Sequence, residues 1–270
     1  MEDAISPQEL IDSYDEESVE MLQRCQKLNP AFSNIHISTS TMYYKISCSI
    51  PFSDPVRLNT AKFLEVYPET VKEFTIKSNF GNALNFKFSL VSGKSYCVLI
   101  FKSGFQIKGS KSAVTDYTIM KAILIGYGLE DATITELYPT MINANFDTYK
   151  ILCLDTMANY LTLKKQTFVL NPTRLRVTLV CQVEEDVTKK ITGIIYGSGK
   201  INLMGANRFE QIVAFYAFIS KMLLEQQDIV KGDFVPEPRR PKAKPGRKRN
   251  IFKEERNDKL KQLLVEWCKA

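Results

Sequence analysis

The chain repeats itself, and that constrains its fold more than any other feature. Residues 97–111 (CVLIFKSGFQIKGSK) and 192–207 (TGIIYGSGKINLMGAN) share one pattern. Both run apolar pair, aromatic residue, x-Ser-Gly, a short alternating stretch, a glycine, and then helical sequence. A second match lies upstream, where STMYYKISC (40–48) and NFDTYKILC (145–153) share Tyr-Lys-Ile-x-Cys. Self-similarity of this kind marks a duplicated structural unit. Each half reads strand, short helix, four strands, long helix.

Local chemistry supports that order. Gly104 and Gly199 sit between β-rich runs, where a tight hairpin needs a residue tolerant of positive φ. Gly109 and Gly205 end the second strand of each hairpin, where a missing side chain lets the chain turn or pack closely. The runs NALNFKFSLV, KSYCVLIF, TRLRVTLVCQV and TKKITGIIY read as strands. Residues 207–227 place Phe209, Ile212, Val213, Phe215, Tyr216, Ile219 and Leu223 on a broad apolar helix face. Residues 110–126 form a weaker copy ending at a capping glycine, and shorter helices fit 59–67 and 155–165.

Charge narrows the partner. Residues 1–24 carry eight acids and one arginine, net −7, while residues 236–250 carry seven Lys/Arg and one Glu, net +6. The whole chain is +6, so the body between these ends is basic and suits a polyanion. No apolar run reaches the roughly 18 residues of a membrane span, and the acidic N-terminus is no signal peptide, so the expected location is intracellular. The cysteines (Cys25, Cys48, Cys97, Cys153, Cys181, Cys268) form no C-x-x-C pair and His36 is the only histidine. Buried, reduced thiols are expected, with no metal and no cofactor, and there is little for a nucleophile–histidine constellation to use.

At this point the residues resemble a known family. GIIYGSGKINLMGAN is similar to the signature of the TATA-box-binding proteins, LIFKSGFQIKGSKS to a degraded copy of it, NPTRLRVTL (171–179) to the run before the third strand, and NIHIST (34–39) to the stretch opening the first repeat. The divergence resembles that of copies carried by large DNA viruses. The resemblance implies an α+β fold: a pseudo-twofold saddle, two repeats forming one curved antiparallel sheet with long helices on the convex face. The resemblance covers about residues 32–230 and implies repeat 1 at 25–130 and repeat 2 at 131–232; charge and composition set off an acidic extension (1–24), a basic Pro-rich linker (233–250) and an amphipathic helix (251–270). The resemblance also implies a non-enzymatic transcription initiation factor that binds and bends A/T-rich promoter DNA through the minor groove. A TFIIB-like factor and RNA polymerase would be partners, in a nucleus or, for a viral copy, a viral factory or virion. The alternative is a protein-interaction scaffold of the same fold with weakened DNA binding.

The family's contacts carry over residue by residue. Phe101 and Tyr196 take the strand-ending wedge positions, with Leu175 and Phe80 as the other wedge of each pair. Leu99, Val177, Ile194 and Asn202 line the sheet between them. Ser103, Ser198 and Lys200 meet phosphates. One Asn per repeat donates to the acceptor-only edge of A·T pairs near the axis: Asn34 in the first, Asn143 or Asn145 in the second. Phe105 replaces the first-repeat lysine, and Gly104 to Gly109 is one residue shorter than Gly199 to Gly205. Either Phe105 and Ile107 or Gln106 and Lys108 therefore face the DNA.

At the ends, KPGRKR (244–249) resembles an AT-hook and equally a nuclear-targeting or phosphate-binding run. Residues 251–270 would fold back or dock a partner. Residues 1–24 would be disordered, helical, or a DNA mimic lying on the basic concave face.

Overall fold

Alternating apolar residues in ten strands produce a single two-sided sheet. The computed structural model describes residues 7–47, 58–79, 83–110, 112–130, 132–181 and 190–234. The first half runs α1 (Pro7–Leu28), β1 (His36–Ser47), α2 (Thr60–Val66), β2 (Val71–Asn79), β3 (Ala83–Leu90), β4 (Ser95–Phe101), β5 (Gly104–Ser110) and α3 (Ala113–Gly126). The second runs β6 (Thr133–Asp147), β7 (Lys150–Leu152), α4 (Leu154–Leu163), β8 (Thr167–Asn171), β9 (Arg176–Cys181), β10 (Ile191–Tyr196), β11 (Lys200–Ala206), α5 (Phe209–Glu225) and β12 (Val230–Asp233). The ten-stranded sheet has the order β2-β3-β4-β5-β1-β6-β11-β10-β9-β8, all antiparallel, with β7 and β12 forming a separate pair. This is the α+β arrangement of two fused repeats that the duplicated hairpins predict, with β1 and β6 meeting at the centre.

The register defines the pseudo-twofold. Tyr43 pairs with Tyr138 and His36 with Asn145, so β1 maps onto β6 with an offset of 102 (36 to 138, 43 to 145). The outer neighbours agree, since Tyr43 faces Gln106 on β5 as Asn145 faces Asn202 on β11. The axis falls at the Ser40·Ile142 pair. The shared Tyr-Lys-Ile-x-Cys is therefore not a structural equivalence. Tyr44 is wholly buried in β1, whereas Tyr149 is exposed with φ +54 and Lys150–Leu152 belong to the small second sheet.

The missing residue of the first hairpin lies in its turn. Phe101 pairs with Gly104 across a two-residue loop, and the next rungs are Ile100·Phe105 and Leu99·Gln106. In the second hairpin Ile195·Ile201 and Ile194·Asn202 flank a loop of Gly197, Ser198 and Gly199. Phe105 thus corresponds to Ile201, and both are fully buried with Ile107 and Leu203. Gln106 and Lys108 take the opposite face. Gly199, at φ +83, has room for no side chain, since a Cβ would lie 2.3 Å from the Lys150 carbonyl oxygen.

Two apolar cores lie on the helix-covered face. One gathers Phe63, Phe86, Phe88, Ile100, Phe105 and Ile123; the other Phe146, Met157, Leu179, Ile195, Leu203 and Phe215. The acidic N-terminal segment is helical and sits on this same face. Ile11, Met21 and Cys25 of α1 are buried, the Tyr14 ring lies 5.4 Å from Phe209, and Tyr14 packs against both cores. Apolar residues along α1 drive it there, which corrects the expectation of a DNA mimic on the other face. Beside it, the Tyr44 hydroxyl donates to buried Asp116 at 2.9 Å. Asp233 still belongs to β12 and the compact unit that contains the sheet ends at Phe234; the rest of the Pro-rich linker and the C-terminal helix fall outside the described residues.

Burial pushes the phenols of Tyr14 and Tyr216 and the thiols of Cys25 and Cys181 each up to about 12. Raised folded values mean that the stability these groups carry is complete below their unfolded pKa, about 8.5 for thiols and about 10 for phenols. It is lost as pH climbs through the folded value. The urea midpoint should therefore hold between about pH 7 and 8 and fall steadily from about pH 9 to 12. A midpoint that is flat to pH 12 would contradict this.

Candidate functional site

The sheet's other face is the candidate site, because among the described residues no helix covers it. Its composition follows from strand alternation: whatever lies between the buried residues points out. Two symmetry-related rows cross it. In repeat 1 the rungs run Lys77, Asn85, Leu99, Gln106, Tyr43, Tyr138; in repeat 2 they run Val169, Thr178, Ile194, Asn202, Asn145, His36. Leu99 and Ile194 are thus equivalent, as are Phe101 and Tyr196 at the hairpin ends.

The wedge positions are brought together in repeat 2. Leu175 is 68% exposed, sits at φ +46 after the 3-10 turn Pro172–Arg174, and its carbonyl accepts the Gly197 N–H at 3.0 Å. It therefore stands beside the hairpin that carries Tyr196, whose own rung partner is Arg176. Ser198 is half-buried in the turn and Lys200 is exposed at the start of β11. In repeat 1 Phe101 is half-buried and Ser103 exposed, while Phe80 lies outside the described residues.

Two expected contacts are misplaced. Val177 is fully buried in the core under the sheet. Counting alternation from Leu175 puts Val177 outside, but Leu175 is left-handed and precedes the strand, so Arg176, Thr178 and Val180 face out instead. Asn34 is exposed in the segment before β1 and lies well short of the axis at Ser40. The amide nearest the axis is Asn143, whose Nδ2 donates to Thr39 at 3.0 Å and whose Oδ1 accepts the Gly205 N–H at 3.3 Å. Asn143 is thereby occupied in tying β1, β6 and β11 together. Asn145 and Asn202 face each other across β6 and β11, and no hydrogen bond within the described residues engages their side chains.

Alternation also reveals groups that motif reading missed. Tyr43 lies 5.3 Å from Tyr138 and 6.2 Å from Phe101, ring to ring, and its hydroxyl is 3.4 Å from Ser103 Oγ. This aromatic cluster occupies the repeat 1 side where repeat 2 has His36 and Asn145. Lys45 and Glu136 form an ion pair beside it. Gln106 donates to Thr140 at 2.9 Å, so its amide is held in place. The signal for Tyr43 was its position between buried Met42 and Tyr44, which only a settled register makes readable.

The face exposes Tyr138, Met141, Val169, Leu175 and Met204. Hydroxyls, amides and cations interleave with them. Among the described residues no group of three or more His, Cys, Asp or Glu could hold a metal ion, and no helix is long and apolar enough to cross a membrane.

Neither a protein-family model nor a curated protein matches the chain. Among solved structures it is similar to the TBP of Methanococcus jannaschii, at 18% identity over 72% of this chain and 99% of that one, with a TM-score of 0.48. It is also similar to a rolling circle replication initiator protein from Geobacillus stearothermophilus, at 9% identity over 77% of this chain and 90% of that one, with a TM-score of 0.33. At such scores these likenesses decide nothing about what this chain binds; its own residues must.

Proposed function

We propose that this chain is a non-enzymatic, TATA-box-binding-protein-like transcription initiation factor that binds and bends A/T-rich promoter DNA from the minor-groove side. The reading is carried by the uncovered face of the ten-stranded sheet. That face sets Leu99, Ile194 and Val169 among hydroxyls and amides along its rows, bears Asn145 and Asn202 near its centre and lysines around them, and has the exposed Leu175 beside a hairpin end. A wide, flattened minor groove offers the complement: apolar sugar edges, acceptor atoms of A·T pairs and flanking phosphates. Leu99, Ile194, Asn145 and Asn202 would lie on the floor. Phe101, Tyr196 and Leu175 would wedge between base steps, where pyrimidine–purine steps unstack at least cost. Ser103, Ser198 and Lys200 would meet phosphates. A promoter role brings a TFIIB-like factor and RNA polymerase as partners, and a nucleus, or a viral factory or virion for a viral copy, as the place of action.

The scaffold alternative draws on Leu175 and Tyr196, neither of them the phenylalanine of the family's wedges. A bending assay separates the two. End-labelled duplexes should shorten on binding as the chain kinks a TA-rich site by tens of degrees, within the roughly 20–90° of minor-groove wedge proteins. A G·C duplex should bind more weakly and bend less. Straight TA-rich DNA at saturating protein would reject the proposal and leave the scaffold.

A further inference from the structure

The two halves of the open face differ in charge at equivalent positions. In repeat 1 the rung Thr75, Lys87, Cys97, Lys108 crosses β2 to β5, and Lys77 begins the next rung. The matching positions in repeat 2 are Val180, Thr192 and Met204, with Val169 in place of Lys77. Three lysines thus stand where the pseudo-twofold supplies two valines and a methionine. All three are exposed, and neighbours on their strands (Ile76, Phe86, Phe88 and Ile107) pack toward the core, so their heads project from the open face. Lys87 and Lys108 line a shallow groove with Thr75, Ser89 and Cys97. Among the described residues, Glu73 is the one acid lining this groove, and it accepts a hydrogen bond from Ser89 at 3.0 Å. Among the described residues, repeat 2 has Arg176 and Lys200 at the hairpin end, with Asp147 opposite Lys200, and a single exposed lysine, Lys190, just before the far end of β10.

Resting on the DNA-binding reading above, we propose that Lys77, Lys87 and Lys108 form a phosphate-binding row peculiar to repeat 1. This half anchors the duplex by charge, while the uncharged rows of repeat 2 discriminate sequence. Lys87 and Lys108 are two strands apart, about 10 Å, a separation that long flexible side chains adapt to successive phosphates. Phosphate contacts release counterions and carry no sequence information, whereas amides on base edges do the reverse. The two halves therefore leave different signatures.

The test uses the full chain with a TA-rich and a G·C-rich duplex, titrated by fluorescence anisotropy between 50 and 200 mM salt (about the range in which such terms are resolved). The triple variant Lys77→Gln, Lys87→Gln, Lys108→Gln should weaken both duplexes by about the same factor. It should also lower the slope of log K against log salt by about 2–3. The pair Asn145→Ala, Asn202→Ala should leave that slope unchanged and shrink the TA-to-G·C preference by about tenfold or more. Moving the charges, with Val169→Lys, Val180→Lys and Met204→Lys added to the triple variant, should bring the slope back. A triple variant that keeps the wild-type slope overturns the proposal, as does one that changes the preference more than the slope. Wild-type protein that binds neither duplex overturns this proposal together with the function it rests on, whereas unbent DNA with the expected lysine effect rejects the DNA-bending function above and leaves the phosphate row standing. Matching thermal melts of all variants exclude misfolding as the cause.

Discussion

Replacing Gly193 with alanine should cost the fold more than most core truncations would suggest for a change of one methyl. A Cβ at Gly193 would lie 2.2 Å from Cζ and 2.6 Å from Cε2 of Phe215. Phe215 projects from α5 onto β10 and is itself buried, so the ring cannot swing into solvent. Either the helix lifts from the sheet or the ring leaves its rotamer, and overpacking of this kind costs about 1–3 kcal/mol. Valine should lie at or beyond the top of that range. The measurement is a urea midpoint at constant m-value. Its decisive arm is a double-mutant cycle: Phe215→Leu frees the space, so Gly193→Ala should be milder in that background by about 1 kcal/mol or more. Strict additivity would show that the ring and the glycine do not meet. Because Thr192 and Ile194 point the other way, the open face should keep its affinity in any Gly193 variant that remains folded.

Gly193 also marks what the amino-acid order revealed. A lone glycine inside β-patterned TGIIY signals close backbone approach, but not the partner. The doubled Ser-Gly hairpins, the long helices and the short ones before β2 and β8 were all readable, because turn chemistry and apolar period are local. Register was not. A one-residue difference between the hairpins fits a shorter turn or a slipped strand equally well, and only the pairing of Leu99 with Gln106 shows that the turn absorbed it. The same ambiguity hid Tyr43 and Tyr138, left the face of Lys108 open, and let the family resemblance misplace Val177. Tyr-Lys-Ile-x-Cys was a chance likeness that hid the true equivalence of β1 with β6, in which Tyr43 corresponds to Asn145. Residues 7–28 were legible as acidic but not as placed, since the buried members of α1 are few and spaced among charges.

Neighbouring positions on one strand give the strongest test of the open face. Ile194 lies between Thr178 and Asn202 on the uncovered side, while Ile195 is fully buried against the helices. Ile194 is half-buried, so Ile194→Glu should still fold, at a cost of about 1 kcal/mol. Ile195→Glu should not fold, because it buries an unpaired carboxylate. On DNA the order reverses in kind: a glutamate at 194 would press a desolvated charge against the groove floor, amid phosphates of the same sign. Unpaired interfacial charges of this type cost about 2–5 kcal/mol, equivalent to about 30- to several-thousand-fold in Kd. The loss should appear on TA-rich and G·C duplexes alike and should not be rescued by high salt, since desolvation persists when screening removes the repulsion. Circular dichroism and thermal melts establish that the Ile194 variant is folded, and anisotropy then measures its affinity. Should the folded variant bind TA-rich DNA as tightly as the wild type, the duplex does not lie on this face, and the open face would belong to a protein partner instead.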